Sequence, residues 1–179
     1  MLIRLLVCAG MGAGRIAELV HSRRNMASSG PSTEGSWSRR TYPAIVALHT
    51  TVIVATALRG RAHPSAPWLA LLLAMQPLRL WVLATLGRRW NTRAAVPDAM
   101  VVETGGPYAY VRHPNYTIIA VELFALPMAF GMRRLALLAA FANAFALAPR
   151  IREEEAALAR LPGYERHFRT RKRFLPGIL

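Results

Sequence analysis

The residues best suited to chemistry lie in one short run, Gly106-Pro107-Tyr108-Ala109-Tyr110-Val111-Arg112-His113-Pro114-Asn115-Tyr116, which opens directly onto an apolar stretch, 117–130, broken only by Glu122. Such a cluster at the mouth of a hydrophobic helix could bring a water-soluble ligand against a lipid-buried one. Pro114 disfavours helix at His113 and suits the first helical position, so the spacing predicts a helix starting at Pro114. The N–H groups and positive dipole end of that helix suit a carboxylate or another anion. Tyr108, Tyr110 and Tyr116 add ring faces for a heteroaromatic base or a sulfonium cation. Tyrosines are also enriched where helices meet the membrane surface, and the run by itself fits either reading.

A second group lies near the C-terminus. Arg150 and Glu154 are four apart on a predicted helix and share a face. They could hold an acid and an amine, or form an exposed ion pair contributing about 0.3–0.5 kcal/mol. The consecutive carboxylates Glu153, Glu154 and Glu155 point in different directions around a helix, so at most one or two face a shared pocket. Glu122 is ionisable within an apolar segment, a position that calls for a charge partner or a substrate contact. Arg79, His49 and Gln76 are its candidate partners. Cys8 is the only cysteine, which excludes an intramolecular disulfide and a cysteine metal site. The chain also lacks a Gly-rich phosphate loop, a nucleophile elbow and a His/Glu zinc pattern. Hydrolase and NTPase chemistry therefore finds no support, and no metal is expected.

The elements that must position these residues are helical. The 179 residues suffice for one domain or one small membrane bundle. Apolar residues make up 54% and charged residues 18%, so the apolar excess must be buried in a large core or in lipid. Apolar segments recur at 1–14, 43–58, 67–86, 114–131 and 135–149. Several fall short of the roughly 20 residues of a span, which keeps a soluble helical bundle as the competing reading. Segments 43–58 and 135–149 are apolar on every face, however, which favours lipid. The first segment could pass for a secretory signal, but Arg15 and Glu18 follow at once and a membrane helix fits better. Residues 22–41, rich in Ser, Gly and Pro, predict a mobile polar loop. Residues 59–67 predict a short loop, and Gly131-Met132-Arg133-Arg134 a tight helical hairpin. After Pro149 a further helix should run from Arg150 to about Leu161, ended by Pro162-Gly163. With no repeat and no strand alternation, the expected fold is all-α: an integral membrane bundle of about five transmembrane helices with a C-terminal helical tail.

The net charge of +14 could mean nucleic acid, anionic lipid or an anionic small ligand. The positives fall in short clusters beside apolar runs: Arg23, Arg24, Arg39 and Arg40, then Arg88, Arg89 and Arg93, then 166–173. That is membrane flanking, and it argues against a nucleic-acid partner. Placing 15–41, 87–113 and 150–179 inside leaves only Arg59, Arg61, Arg133 and Arg134 outside, so the bias predicts a cytoplasmic C-terminal tail.

The 106–116 block, taken with Arg150, Glu154-Glu155, Leu158, Gly163, Tyr164 and Leu175-Pro176-Gly177, resembles the isoprenylcysteine carboxyl methyltransferase family of integral membrane methyltransferases. Arg15, Glu18, Arg24-Asn25, Tyr42-Pro43, His49, Gln76, Leu86-Gly87, Trp90 and Arg93 extend the resemblance to bacterial members thought to O-methylate alkylpyrones or alkylresorcinols. The resemblance implies a single domain, 1–179, of a bacterial cell membrane. Its half at about 87–179 would bind S-adenosylmethionine. Tyr108, His113, Pro114, Asn115 and Tyr116 match the family's cofactor-contacting motif, and Val101 and Val102 fall where backbone contacts to the cofactor are expected. Glu154 matches the carboxylate that holds the cofactor, and Arg150 matches the residue that faces the acceptor, which makes this pair the expected catalytic residues. Glu122 joins Arg150 as an expected acceptor contact.

The implied activity is methyl transfer to a hydroxyl or carboxylate oxygen of a lipophilic acceptor that enters from the bilayer, such as an alkylpyrone, an alkylresorcinol or a prenylated compound. Arg93 stands near where eukaryotic members place a cofactor-binding Gln, Met100 replaces a His, and His167 a second Tyr, which points away from a prenylcysteine carboxylate. Two rival readings stand beside this one. Sterol-reductase-like NADPH enzymes also carry an Arg-His-Pro-Asn-Tyr stretch, although Glu154-Glu155 with Leu158 favours the methyltransferase. The other is a non-catalytic protein that binds anionic membrane lipids through its basic tail.

Overall fold

In the computed structural model, which describes residues 1–98 and 100–177, long helices alternate in direction between two ends of a bundle. They are α1 (Leu2–Ser28), α2 (Ser36–Arg59), α3 (Ala66–Leu86), α4 (Pro114–Ala129) and α5 (Arg133–Leu158), followed by the short α6 (Tyr164–Phe168). At one end the Met1 ammonium donates to the Ala62 carbonyl (3.4 Å), Arg61 N–H to Phe130 (2.8 Å) and Ser65 N–H to Ala129 (2.7 Å). At the other end Asn25 Nδ2 donates to the Gly87 and Trp90 carbonyls (3.0 and 2.8 Å), and Ser38 Oγ to that of Arg93 (2.7 Å). The chemistry-bearing loop 87–113 and the C-terminal tail both belong to this second end.

α4 is the central element. Tyr116, Ile118, Glu122, Leu123, Leu126 and Ala129 are all buried along it, and it packs against α3, α5 and α2. Phe130, Leu72, Leu126 and Val52 are fully enclosed in the resulting core. Leu2, Leu6, Leu58, Leu80, Phe141 and Phe145, by contrast, are turned outward. So much apolar surface on the outside fits a hydrocarbon surround.

Ser36–Arg59, Ala66–Arg89 and Arg133–Leu158 are long and apolar enough to cross a membrane. α1 carries Arg4, Arg15 and Glu18. α4 has 16 residues, about 24 Å at ~1.5 Å per residue against a hydrocarbon core of about 30 Å. Of the expected five spans, three therefore qualify by their own length and composition.

Several boundaries differ from the sequence expectation. The loop expected at 22–41 shrinks to residues 29–35, because Ser22 and Asn25 are buried partners of the 87–92 segment and keep α1 helical to Ser28. The helix expected to end at Pro149 and the tail helix expected after it are one element. Pro149 sits inside α5, where it removes one backbone bond without ending the helix. At 26 residues, or about 39 Å, α5 exceeds a hydrocarbon core of about 30 Å by roughly six residues, enough for its last turns to reach past it. A two-residue strand pair, β1 (Ser32–Thr33) with β2 (Val96–Pro97), interrupts the otherwise helical fold and clips the 29–35 loop to the 90s loop. The α4–α5 hairpin forms as expected, turning at Gly131 with φ +76°, a left-handed conformation that favours glycine.

A buried charge cluster fastens the helices. Arg79 of α3 donates through Nη1 to Glu18 of α1 (3.0 Å), through Nη2 to Glu122 Oε2 of α4 (2.6 Å) and through Nε to Glu122 Oε1 (3.2 Å). Arg15 donates to Glu18 (2.9 Å) and to Glu122, and Gln76 Nε2 to Glu122 (2.8 Å). Two positive and two negative groups thus cancel away from water. Removing one partner of a buried pair typically costs about 3–5 kcal/mol, so Arg79→Met should lower thermal stability in detergent by an amount in that range. A loss below about 1 kcal/mol, the scale of an exposed pair, would show that the cluster does not hold the bundle.

Candidate functional site

α5 builds the site from a single stripe. Asn143, Leu147, Arg150, Glu154 and Leu158 recur at helical spacing and all line one cavity of about 380 Å³, within the roughly 300–1,000 Å³ common for small-molecule sites. Tyr42, Ile45, Val46, His49 and Ile53 face it from α2, and Gly12, Arg15, Ile16 and Leu19 from α1. The loop after α3 contributes Trp90, Thr92, Val102, Glu103 and Tyr108, α4 and the residues before it His113, Asn115 and Tyr116, and α6 Tyr164 and Phe168. The cavity is mostly polar and aromatic at the loop and tail end, and along α1 and α2 it is aliphatic with Arg15, Glu18, Tyr42, His49 and Thr50 interspersed.

Tyr116 occupies the junction. Its hydroxyl donates to Glu154 Oε2 (2.5 Å) and accepts from Arg150 Nε (3.2 Å), while Arg150 Nη2 donates to the Thr92 carbonyl (2.6 Å). Arg150 is only 4% exposed. The pair is therefore not an exposed surface ion pair: a phenol stands between the two charges, and both residues face the cavity. The neighbouring carboxylates diverge as helix geometry requires. Glu153 accepts from Trp37 and Ser38 N–H (2.9 and 3.0 Å) at the start of α2. Glu155 turns the other way, to His113 Nε2 (3.1 Å) and Arg173 (2.5 and 2.9 Å).

The tail closes the loop end. Arg112 N–H donates to Lys172 (2.9 Å), His113 N–H to Arg173 (2.8 Å) and Thr117 Oγ1 to Phe174 (3.1 Å), so 172–174 lie along 111–113. Burial, with the Glu154 and Glu103 carboxylates nearby, pushes the Tyr108 phenol well above its ordinary value. Burial and then Glu155 push Tyr164 up to about 12. Both phenols thus stay protonated near neutral pH and can donate hydrogen bonds. Trp90 Nε1, Asn115 Oδ1, Tyr164 Oη, His49 Nε2 and Asn143 Oδ1 are buried, belong to lining residues and have no hydrogen-bond partner among the described residues. Such a concentration of unsatisfied groups in one cavity suits a ligand or ordered water that supplies the partners.

Of the residues singled out in the sequence, Val102, Tyr108, His113, Asn115, Tyr116, Arg150 and Glu154 come together here. Three do not line the cavity. Val101 is 77% exposed and its carbonyl accepts from Arg89 Nη1 (3.1 Å). Pro114 is buried in the first turn of α4. Glu122 spends both carboxylate oxygens on Arg79, Arg15 and Gln76, so it ties helices together and does not contact what the cavity holds. Sequence reasoning missed Asn143, Leu147, Thr92 and Phe168. For Asn143 a signal existed: it is an amide in an apolar run, on the same helical face as Arg150.

Residues 68–160 match the profile of the isoprenylcysteine carboxyl methyltransferase (ICMT) family, which covers α3, α4, α5 and the loop between α3 and α4. The chain is also similar to the uncharacterized protein YpbQ of Bacillus subtilis (strain 168), 31% identical over 150 residues that cover 80% of this chain and 89% of that protein. With Tyr108, His113, Tyr116, Arg150 and Glu154 and nearly all of two of the three membrane-length helices inside the matched span, the chain belongs to the isoprenylcysteine carboxyl methyltransferase family and is an integral membrane methyltransferase.

Proposed function

We propose that the chain transfers a methyl group from S-adenosylmethionine to a hydroxyl or carboxylate oxygen of a lipophilic acceptor such as an alkylpyrone, an alkylresorcinol or a prenylated compound. The observation that carries this reading is the continuity of the cavity from the polar loop and tail end to the aliphatic walls of α1 and α2, with Arg150, Tyr116 and Glu154 at the junction. The donor set suits the cofactor. Glu154 offers a carboxylate for its amino group, Tyr108, Tyr116 and Phe168 offer ring faces, and Asn115 Oδ1 and Tyr164 Oη have no partner among the described residues. Bound there, S-adenosylmethionine would supply a methyl already activated on a sulfonium.

The protein's own task is then alignment and charge. Arg150 stabilises an anionic acceptor oxygen and raises the fraction of carboxylate, enolate or phenolate presented. Tyr116 fixes Arg150 and Glu154 relative to one another and keeps them from pairing directly. For a weakly acidic phenol, His113 on the cavity wall is the available base, oriented by its bond to Glu155. Ile16 and Val54 line the cavity and are also 64% and 48% exposed toward the outside of the bundle, which supports entry of the acceptor from the bilayer. The weight of arginine at the loop and tail end supports a cytoplasmic C-terminus in a bacterial cell membrane, with α1 and α4 completing five passes.

Titration of the detergent-purified protein with S-adenosylmethionine and with NADPH separates this reading from a reductase and from a non-catalytic lipid binder. Saturable methyl-donor binding without NADPH binding is expected, and no methyl-donor binding would sink the proposal. Glu154→Ala should weaken donor binding roughly tenfold to a hundredfold, the scale of one charge-assisted hydrogen bond. Arg150→Ala should leave donor binding largely intact and lower kcat by about 10²–10³, as loss of a transition-state charge partner does. Equal, negligible effects of both substitutions would remove the pair from the site.

A further inference from the structure

Asn143 lies on the cavity stripe of α5, two turns deeper than Arg150. It is 3% exposed, and its Oδ1 has no partner among the described residues. His49 of α2 lines the same space with an equally unpartnered Nε2. α2 and α5 pack together and run in opposite directions. Glu153, which accepts from Trp37 and Ser38 N–H, fixes their register. From that tie Asn143 is ten residues along α5 and His49 eleven along α2 from Ser38. At ~1.5 Å per residue the two stand at nearly the same depth, roughly 15 Å in.

An amide and an imidazole at that depth have little water to turn to. Polar side chains that persist in membrane helices are paired or serve a ligand. Glu18, Arg79 and Glu122 are paired with one another, whereas Asn143 and His49 make no such pairing through these atoms. Their chemistry is complementary to a hydroxyl, which donates to Asn143 Oδ1 while it accepts from His49 in its neutral tautomer with the hydrogen on Nε2.

We propose that Asn143 and His49 form a polar station in the membrane-depth lobe of the cavity that binds a hydroxyl group carried on the hydrophobic part of the acceptor. This rests on the reading that the cavity takes a lipophilic acceptor beside Arg150. It narrows that acceptor to a molecule with a second polar group set back from the methyl-accepting oxygen by about 10 Å, the helical rise from Arg150 to Asn143. A plain hydrocarbon chain would leave both side chains unsatisfied, so among alkylpyrones, alkylresorcinols and prenylated compounds the station favours those hydroxylated on the chain.

The test uses the full chain in nanodiscs, with binding to empty nanodiscs subtracted, and compares stearate with a mid-chain hydroxystearate. The carboxylate addresses Arg150 and the hydroxyl the station. The hydroxylated chain should bind about tenfold tighter, the scale of one buried hydrogen bond. Asn143→Leu and, separately, His49→Phe should each bring the two chains close to parity. Absence of a hydroxyl preference in the wild type, as when water alone fills the station, overturns the proposal, and so does a preference that survives Asn143→Leu. Titration of the same preparations with S-adenosylmethionine keeps the two readings apart. Donor binding without a hydroxyl preference removes the station alone, and a hydroxyl preference without donor binding removes the methyl-transfer reading alone.

Discussion

Arg79 holds two carboxylates from two other helices, Glu18 of α1 and Glu122 of α4, and the rest of the bundle is arranged around that contact. Charges buried in a low-dielectric surround tolerate little displacement, because each is costly without its partner. The cluster is neutral only when Arg15, Glu18, Arg79 and Glu122 meet, which requires α1, α3 and α4 in one relative placement. Much of the apolar surface of α1 points outward, and its other ties include Cys8 in the core and Ser22 and Asn25 bonded to the 87–92 segment. Once α1 is fixed it supplies one aliphatic wall of the cavity, and α2 supplies the next.

The second determinant is the length of α5. It is long enough to cross an apolar layer, tolerates Pro149 and exceeds that layer by roughly six residues. One stripe of one helix can therefore present an amide at membrane depth, an arginine at the boundary and a carboxylate beyond it. Tyr116 makes this economical: by accepting from Arg150 and donating to Glu154 it keeps both charges hydrogen-bonded while leaving each at the cavity. Divergence of Glu153 and Glu155 from Glu154 does the remaining work, locking α5 to α2 on one side and to the tail on the other.

Much of the polar half of the site could be read from the chain itself, since 106–116 is contiguous and Arg150 with Glu154 obeys helical spacing. Arg79 and Gln76 were identifiable as partners of Glu122 because few polar groups occur in the apolar segments. Arg15 and Glu18 were not assigned to the cluster, since their meeting with α3 and α4 depends on packing of helices far apart in sequence. The same holds for the α1 and α2 walls. Local signals misled at 22–41, where Ser, Gly and Pro read as a long loop although tertiary partners of Ser22 and Asn25 prolong the helix. They misled again at Pro149, which a long, well-supported helix absorbs. Val101 illustrates a finer limit: adjacent residues in an irregular loop point to opposite sides, and only Val102 faces inward.

In the proposed reaction a methyl donor and a lipophilic acceptor meet at Arg150. The most direct measurement is incubation of the nanodisc-embedded protein with methyl-labelled S-adenosylmethionine and extracted bacterial membrane lipids, with products separated and read by mass. The expected result is a labelled O-methyl ether or ester in the lipid fraction, strongly reduced with Arg150→Ala. A protein that binds the donor yet labels no lipid, or labels it equally well without Arg150, would contradict it.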